Sequence, residues 1–296
     1  MRNLSRAGVL GKLCLLALMS LLLSSPSWAR DLDKVREDGV LRHLGIPYAR
    51  FVTGSGDGLD VEMVRLFARH LGVEYRFVET DWGRVIGDLS GKDIQPEGDD
   101  VRMMGEVPVR GDIIATGLTV LPWREKVVSY SRPTFPTQVW LMARADSALK
   151  PIKPSGEIRQ DIEAVKAQLH GLQVLGIEHT CVDPSIYGLD RAGATPGFFG
   201  GNLNDLVPAL LNGEGDVVLV DVADALVALE KWPGLVKVIG PVSPIQNMAF
   251  AFSKAAPNLR AAFNRFFEES KKNGTYKELV KKYYDGILKY YPEFFK

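Results

Sequence analysis

The sequence predicts an α/β protein whose sheets are mainly parallel and flanked by helices, and three observations carry that prediction. Segments of strand character alternate with segments of helical period, and residues 40–46, 59–71 and 73–78 make the first such βαβ unit. The run DVVLV at 216–220 has the continuous apolar character of a strand buried beneath helices. Hydrophobic residues make up 46% and charged residues 24% of the 296, an ordinary globular content with chain enough for one large or two modest domains. Disordered and fibrous classes are excluded.

The first 29 residues are expected to stand outside the fold. Arg2, Arg6 and Lys12 precede an apolar core at 13–23, and Ser27-Trp28-Ala29 places small residues where a signal peptidase reads them, so cleavage after Ala29 and export to the periplasm are expected. An uncleaved anchor is the competing reading, but the run is short of the about 20 residues a span needs. Cys14 lacks the small residues that a lipoprotein site places before it. The full chain has 36 basic and 36 acidic side chains; the leader carries three basic and no acidic ones, leaving 33 against 36, a net charge of about −3. No basic stripe points to nucleic acid or an anionic membrane surface.

Cys181 would be the only cysteine after processing, so packing alone has to hold the core. His43, His70, His170 and His179 show no i, i+4 pair and no cysteine cluster, so neither a metal nor another cofactor is expected.

After the first strand comes Gly54-Ser-Gly56-Asp-Gly58, which lacks the third glycine of a dinucleotide fingerprint and reads as a turn. In the helix over 59–71, Leu59, Met63, Leu66, Phe67 and His70 share one face. Residues 91–111 are polar and interrupted by glycine and proline, and Asp93, Glu97, Asp99 and Asp100 do not have calcium-loop spacing. A strand at 113–115 then runs into Thr116-Gly117-Leu118-Thr119, and Pro122 opens a helix that carries Arg124. A guanidinium beside a helix start suits a carboxylate; a plain surface arginine is the alternative.

Further on, a strand at 138–143 and the linker-like PIKPSG precede a helix over 161–170 with Asp161 as its cap. A strand at 172–177 delivers Glu178, His179 and Thr180 to a turn, and a helix over 184–189 follows. Helices at 203–211 and 223–232 flank the buried strand that ends at Asp221. Residues 248–252 read as a returning strand, and two helices, 258–273 and 276–284, close the protein with Phe263, Phe266 and Phe267 as a buried stripe.

The segment DIIATGLTVLPWREKVVSYSRPTF resembles the signature of the family 3 extracellular solute-binding proteins, the periplasmic amino-acid receptors of ABC importers. GDGLDVEMVRLFARHLGVEYRFVETDW, FPTQVWLMAR and GEGDVVLVDVADALVAL resemble other parts of that family in the same order, so nearly the whole mature chain is covered. The resemblance implies a two-lobed type II periplasmic binding protein with two strands crossing between the lobes. Residues 30–137 and 245–296 would form one lobe and 138–244 the other.

It also implies roles. Arg124 with the Gly117/Thr119 turn would hold a ligand carboxylate, and Thr180 would meet it from the opposite side. Asp221 would pair with the ligand ammonium; its other role is to cap the helix that follows, which Asp224 could do instead. Trp82 matches the aromatic that covers the ligand side chain, with core packing as the rival role, and Tyr48 lies near the second cleft aromatic. His179 stands where the family has a small residue; either it narrows the cleft or it turns outward into solvent. Cys181 beside it packs as a small apolar side chain or offers a free thiol.

Residues 91–111 would be an insertion, forming a flap or a plain surface excursion. The expected partners are a small carboxylate-bearing solute and an ABC permease, with the receptor acting as a monomer and not as an enzyme. A periplasmic cyclohexadienyl dehydratase-like activity using Glu178 or His179, and a sensor uncoupled from transport, are the alternatives.

Overall fold

The computed structural model describes residues 29–295, so the expected leader lies outside the described residues apart from Ala29. The strands, in chain order, are β1 (Val40–Gly45), β2 (Glu74–Glu79), β3 (Lys92–Glu97), β4 (Asp100–Glu106), β5 (Ile113–Ile114), β6 (Val128–Tyr130) and β7 (Phe135–Thr137). They continue with β8 (Val139–Arg144), β9 (Gln173–Gly176), β10 (Thr195–Phe198), β11 (Val217–Asp221), β12 (Val236–Pro241), β13 (Gln246–Met248) and β14 (Ala251–Ser253).

Two five-stranded sheets carry the architecture, ordered β2-β1-β5-β14-β6 and β10-β9-β11-β8-β12. In the first, β1 pairs parallel with β2 and β5, while β14 is antiparallel to β5 and β6. The second repeats the arrangement: β9 is parallel to β10 and β11, and β8 is antiparallel to β11 and β12. Each sheet is therefore mainly parallel with a single reversed strand.

The reversal has a topological cause. The chain crosses between sheets through a two-stranded ribbon, β7 antiparallel to β13 with Thr137 opposite Gln246, and β8 and β14 are the first strands entered from it. Asp221, which ends β11, lies opposite Val139, which begins β8, so the crossing meets the C-terminal ends of the parallel strands. A strand arriving from there has to run backwards. In open α/β sheets those same C-terminal ends are where ligands bind.

Helices cover the sheets as the apolar spacing requires. The Leu59–Leu71 helix buries Val61, Val64, Phe67 and Leu71 and ends at Gly72, whose left-handed φ of 74° returns its N–H to Ala68 and Arg69. Phe67 packs edge-on to Phe263, centroids 5.3 Å apart, and Phe263 and Phe267 of the Pro257–Lys272 helix are fully buried. Each such ring contributes roughly 2–3 kcal/mol by leaving water. Asp31 accepts the N–H of Leu32 and that of Leu259, fastening the first helix to the start of this later one.

Two expectations are corrected, and two segments left without assigned elements take definite form. Residues 91–111 form a hairpin, β3 with β4, turning at Gly98-Asp99 with Gly98 at φ 62°. Its tip is tied to the Arg124 helix by Lys126 Nζ on Asp100 Oδ1 at 3.0 Å. Asp161 lies inside the Ile158–Lys166 helix, not at its start, and accepts the N–H of Ser155 at 2.8 Å. The expected helix at 184–189 is one 3-10 turn, Pro184–Tyr187, capped by Asp183. β10, with the sequence TPGF, lacks a strand pattern of its own, and its proline is tolerated because β10 is an edge.

Candidate functional site

The first sheet supplies Tyr48, Trp82 and the 116–124 segment. Thr116 Oγ1 donates to Ile46 O at 2.7 Å, joining the end of β1 to the turn after β5. Gly117 donates its N–H to Asp60 Oδ2 at 2.7 Å, with a left-handed φ of 62°. A Cβ at Gly117 would stand 2.4 Å from Phe51 Cδ2, so only glycine fits. Pro122 opens the Pro122–Glu125 helix as its first residue. The N–H groups of Arg124 and Glu125 both turn back to Leu121 O, so the guanidinium, and not the helix start, is the group available to an anion.

Arg124 is buried, at 3% exposure. Its Nη1 donates to Thr119 O at 2.9 Å and its Nη2, more weakly, to His179 O at 3.4 Å, a contact that spans the two sheets. The guanidinium lies 5.2 Å from the ring centroid of Trp123 and 5.9 Å from that of Trp82. Its Nε, Thr119 Oγ1 and Trp82 Nε1 are buried without an oxygen or nitrogen partner. Such orphaned groups cost free energy unless something else satisfies them.

The second sheet supplies the 177–183 turn and Asp221. Gly176 ends β9 where a Cβ would stand 1.9 Å from Val182 O, so the glycine lets the turn fold back on the strand. Thr180 Oγ1 donates to Ile177 O at 2.7 Å and accepts from Val182 N at 3.2 Å. The hydroxyl expected to meet the ligand is therefore engaged within its own turn. His179 adopts φ 63°, donates its N–H to Asp183 Oδ2 at 2.9 Å and leaves its imidazole exposed. Its carbonyl, not its ring, faces Arg124.

Asp221 is fully buried and does cap the Val222–Lys231 helix, its Oδ1 accepting from Asp224 N at 3.1 Å. Of the two candidates for that cap, Asp221 and not Asp224 makes it. Asp221 Oδ2 accepts from the Tyr48 hydroxyl, a direct link between sheets. Burial pushes the Asp221 carboxyl up, opposed by its hydrogen bonds from Tyr48 and the helix N–H groups. The Tyr48 hydroxyl is pushed up by burial and then by the Asp221 and Asp224 charges.

These side chains converge. The Tyr48 ring meets Trp82 edge-on at 5.6 Å. Burial pushes the Cys181 thiol up to about 12, helped by the Asp221 charge, so it packs as a neutral group. The structure thus brings Tyr48, Trp82, Gly117, Thr119, Arg124 and Asp221 to one buried seam, engages the Thr180 hydroxyl within its own turn and leaves the His179 ring in solvent.

Sequence reasoning missed several contributors. Asp60 fixes the Gly117 turn, and burial raises its carboxyl to about 7 despite that hydrogen bond. Tyr187 donates its hydroxyl to Cys181 O, and Thr137 Oγ1 and Gln246 Oε1 on the crossing ribbon are buried without partners. Asn204 holds Ala49 N at 2.9 Å and Pro47 O at 3.2 Å. The only advance signal was at Asp60, an acidic residue in a helix first turn beside an apolar face.

Paired α/β sheets, a two-strand crossing and a polar seam between C-terminal strand ends define a two-lobed type II periplasmic binding protein. Residues 108–286 match the model of the bacterial extracellular solute-binding proteins, family 3, and the chain belongs to that family. The structure is similar to the AncCDT-1 ancestral amino-acid-binding protein, described as a precursor of cyclohexadienyl dehydratase (TM-score 0.68, 22% identity, 86% of this chain and 99% of that one). A mutant of ArgBP from T. maritima aligns with TM-score 0.67 and 24% identity over 86% of this chain and 99% of that one. At these identities the likeness is one of fold.

Among curated proteins, the membrane-bound lytic murein transglycosylase F of Desulfosudis oleivorans is 25% identical over 78% of this chain and 44% of its own length. The protein of that name from Pseudomonas putida is 26% identical over 86% of this chain and 48% of its own. The chain spans about half the length of the curated relatives it matches. Among the described residues, no helix is long and apolar enough to cross a membrane.

Proposed function

We propose that the protein is an exported receptor that closes around a small amino-acid-like solute and presents it to an ABC permease. The observation that carries this reading is the buried Arg124, whose Nε is unmatched beside the unmatched Thr119 Oγ1 and Trp82 Nε1, across a seam from Asp221. A ligand carboxylate would satisfy the guanidinium and the Thr119 hydroxyl. Each Asp221 oxygen accepts one hydrogen bond and keeps capacity for an ammonium group. Residues 30–137 with 245–296 would move against 138–244 about the β7–β13 ribbon. Closure is favoured only by contacts the ligand makes with both lobes, so a solute lacking either charge closes it poorly.

Titration calorimetry with a panel of amino acids tests this. Arg124→Ala should lose about 2–5 kcal/mol of binding free energy, roughly 30-fold to several thousandfold in affinity. Near-normal affinity in that variant would remove the assigned site.

The transglycosylase relatives favour a second reading, a receptor for murein-derived solutes or a part of a murein-acting protein. Release of soluble fragments from purified murein by the chain would support the enzymatic form. The likeness to a dehydratase precursor motivates a parallel incubation with prephenate or arogenate, in which an aromatic product would replace the receptor reading.

A further inference from the structure

The segment that follows the Thr275–Tyr284 helix touches both lobes without being one of the two crossings. It consists of a short helix, Ile287–Tyr290, and a 3-10 turn, Pro292–Phe295. Tyr291 N donates to Ile287 O and Phe294 N to Tyr291 O, so the two form one folded piece. Its root is the Thr275–Tyr284 helix, which packs on the Leu59–Leu71 and Pro257–Lys272 helices of the first lobe, and Ile287 is fully buried there. The Phe295 ring stacks on Tyr276 of that root helix at 6.3 Å and meets Phe135 of β7 edge-on at 6.2 Å, so the segment also reaches the crossing ribbon.

Between these anchors Tyr290 meets Trp140 edge-on, with ring centroids 6.0 Å apart. Trp140 is the second residue of β8, opposite Val220 of β11 and Pro241 of β12, and so belongs to the second sheet. Its Nε1 donates to Gln138 Oε1 at 2.9 Å, and Gln138 Nε2 donates to Ser243 O at 2.9 Å, which ties the indole to both crossings. Tyr290 is 57% exposed, so its ring adds little to either core; what it makes is a contact between lobes. An edge-to-face pair depends on ring geometry, and a rotation of the second lobe that displaces Trp140 breaks it. The contact coexists with the Tyr48 hydroxyl on Asp221 and Arg124 on His179 O, so it belongs to the closed arrangement.

We propose that residues 287–295 form a strap across the hinge, fixed to the first lobe and the ribbon, and that the Tyr290–Trp140 contact makes this strap favour the closed arrangement. The proposal rests on the reading that the lobes move about the ribbon and goes beyond it, because it assigns a third link that sets the balance between open and closed before any ligand is present.

Distances between spin labels on Glu37→Cys and Glu163→Cys, exposed positions on the first and second lobes, test it in ligand-free protein, Cys181 being buried. The separation in the structure should dominate in the native chain, and Tyr290→Ala should raise the ratio of a second, open separation to it by about two- to tenfold. Tyr290→Phe, which keeps the ring, should match the native chain. Trp140→Ala should act as Tyr290→Ala does, and the two together should do no more than either alone. If Trp140→Ala does not fold, a chain ended after Lys289 takes its place and should shift the ratio at least as far as Tyr290→Ala. Tyr48→Phe, which removes the hydroxyl bond to Asp221, is the control for the hinge itself. If Tyr48→Phe populates the open separation and Tyr290→Ala does not, or if the effects at Tyr290 and Trp140 add, the strap is overturned and the hinge reading stands. A single separation in every variant overturns both.

Discussion

Asp60 is buried at 4% exposure and accepts one backbone N–H, an arrangement that makes its ionisation expensive. Its carboxyl is raised from 3.8 to about 7, so the folded state holds a proton there that the unfolded chain has already released. Its contribution to stability is full below about pH 4 and is lost as pH rises through about 7. Asp60→Asn keeps an acceptor for Gly117 N–H and removes the titration. Thermal melts should show the variant gaining on the native chain between those limits, by roughly 4 kcal/mol at most above neutral pH. A constant difference across that range would count against the buried ionisable role. The positions of Arg124 and Asp221 beyond strand ends could be read from spacing, while their expected roles came only from the family resemblance. Thr180, His179 and the division of labour between Asp221 and Asp224 were not, since a hydroxyl or carboxylate direction is set by turn bonds that spacing does not encode.

At the scale of elements, the Gly117 turn is the most demanding piece, because it combines a left-handed backbone with contact against Phe51. Gly117→Ala should destabilise the protein by about 2–4 kcal/mol, seen as a lower denaturant midpoint, and should weaken ligand binding by displacing Thr119. A midpoint unchanged from the native chain would contradict the strain assigned there. The long helices and the central strands were readable from periodicity, as at 59–71, where the observed helix and the expected one coincide. The β3–β4 hairpin was not, because Pro96 and the exposure of most of its residues blur the period-two pattern. Short edge elements such as β10 draw their shape from neighbours more than from their own residues.

For the whole molecule, the relative position of the two sheets rests on few cross-links besides the ribbon. Asn204 clasps both Pro47 O and Ala49 N, and Ala49 is held at a left-handed φ of 45°. Arg50 pairs with Glu230, with side-chain exposures of 36% and 60%. An exposed pair contributes little, about 0–1 kcal/mol, so the double amide contact is the stronger latch. Asn204→Ala should shift the unliganded protein toward an open form by about 1 kcal/mol, roughly fivefold in population. Small-angle scattering without ligand should register a larger radius of gyration, and Glu230→Ala should change it less; the reverse order would refute this ranking. The two-lobed plan was legible because the crossing segments and the βαβ rhythm leave their own marks. The latch was not, since it joins residues about 150 positions apart that share no local pattern.

Asp31, fastened to the start of the Pro257–Lys272 helix, has a mechanical corollary. The earliest described segment and the last helices belong to the same side of the molecule, the side that carries β1 and β14. Any tether attached at either extremity would hold that side as the stator, and the half bearing Asp221 and Asp224 would travel as the rotor, bringing its acidic helix to a guanidinium that stays in place.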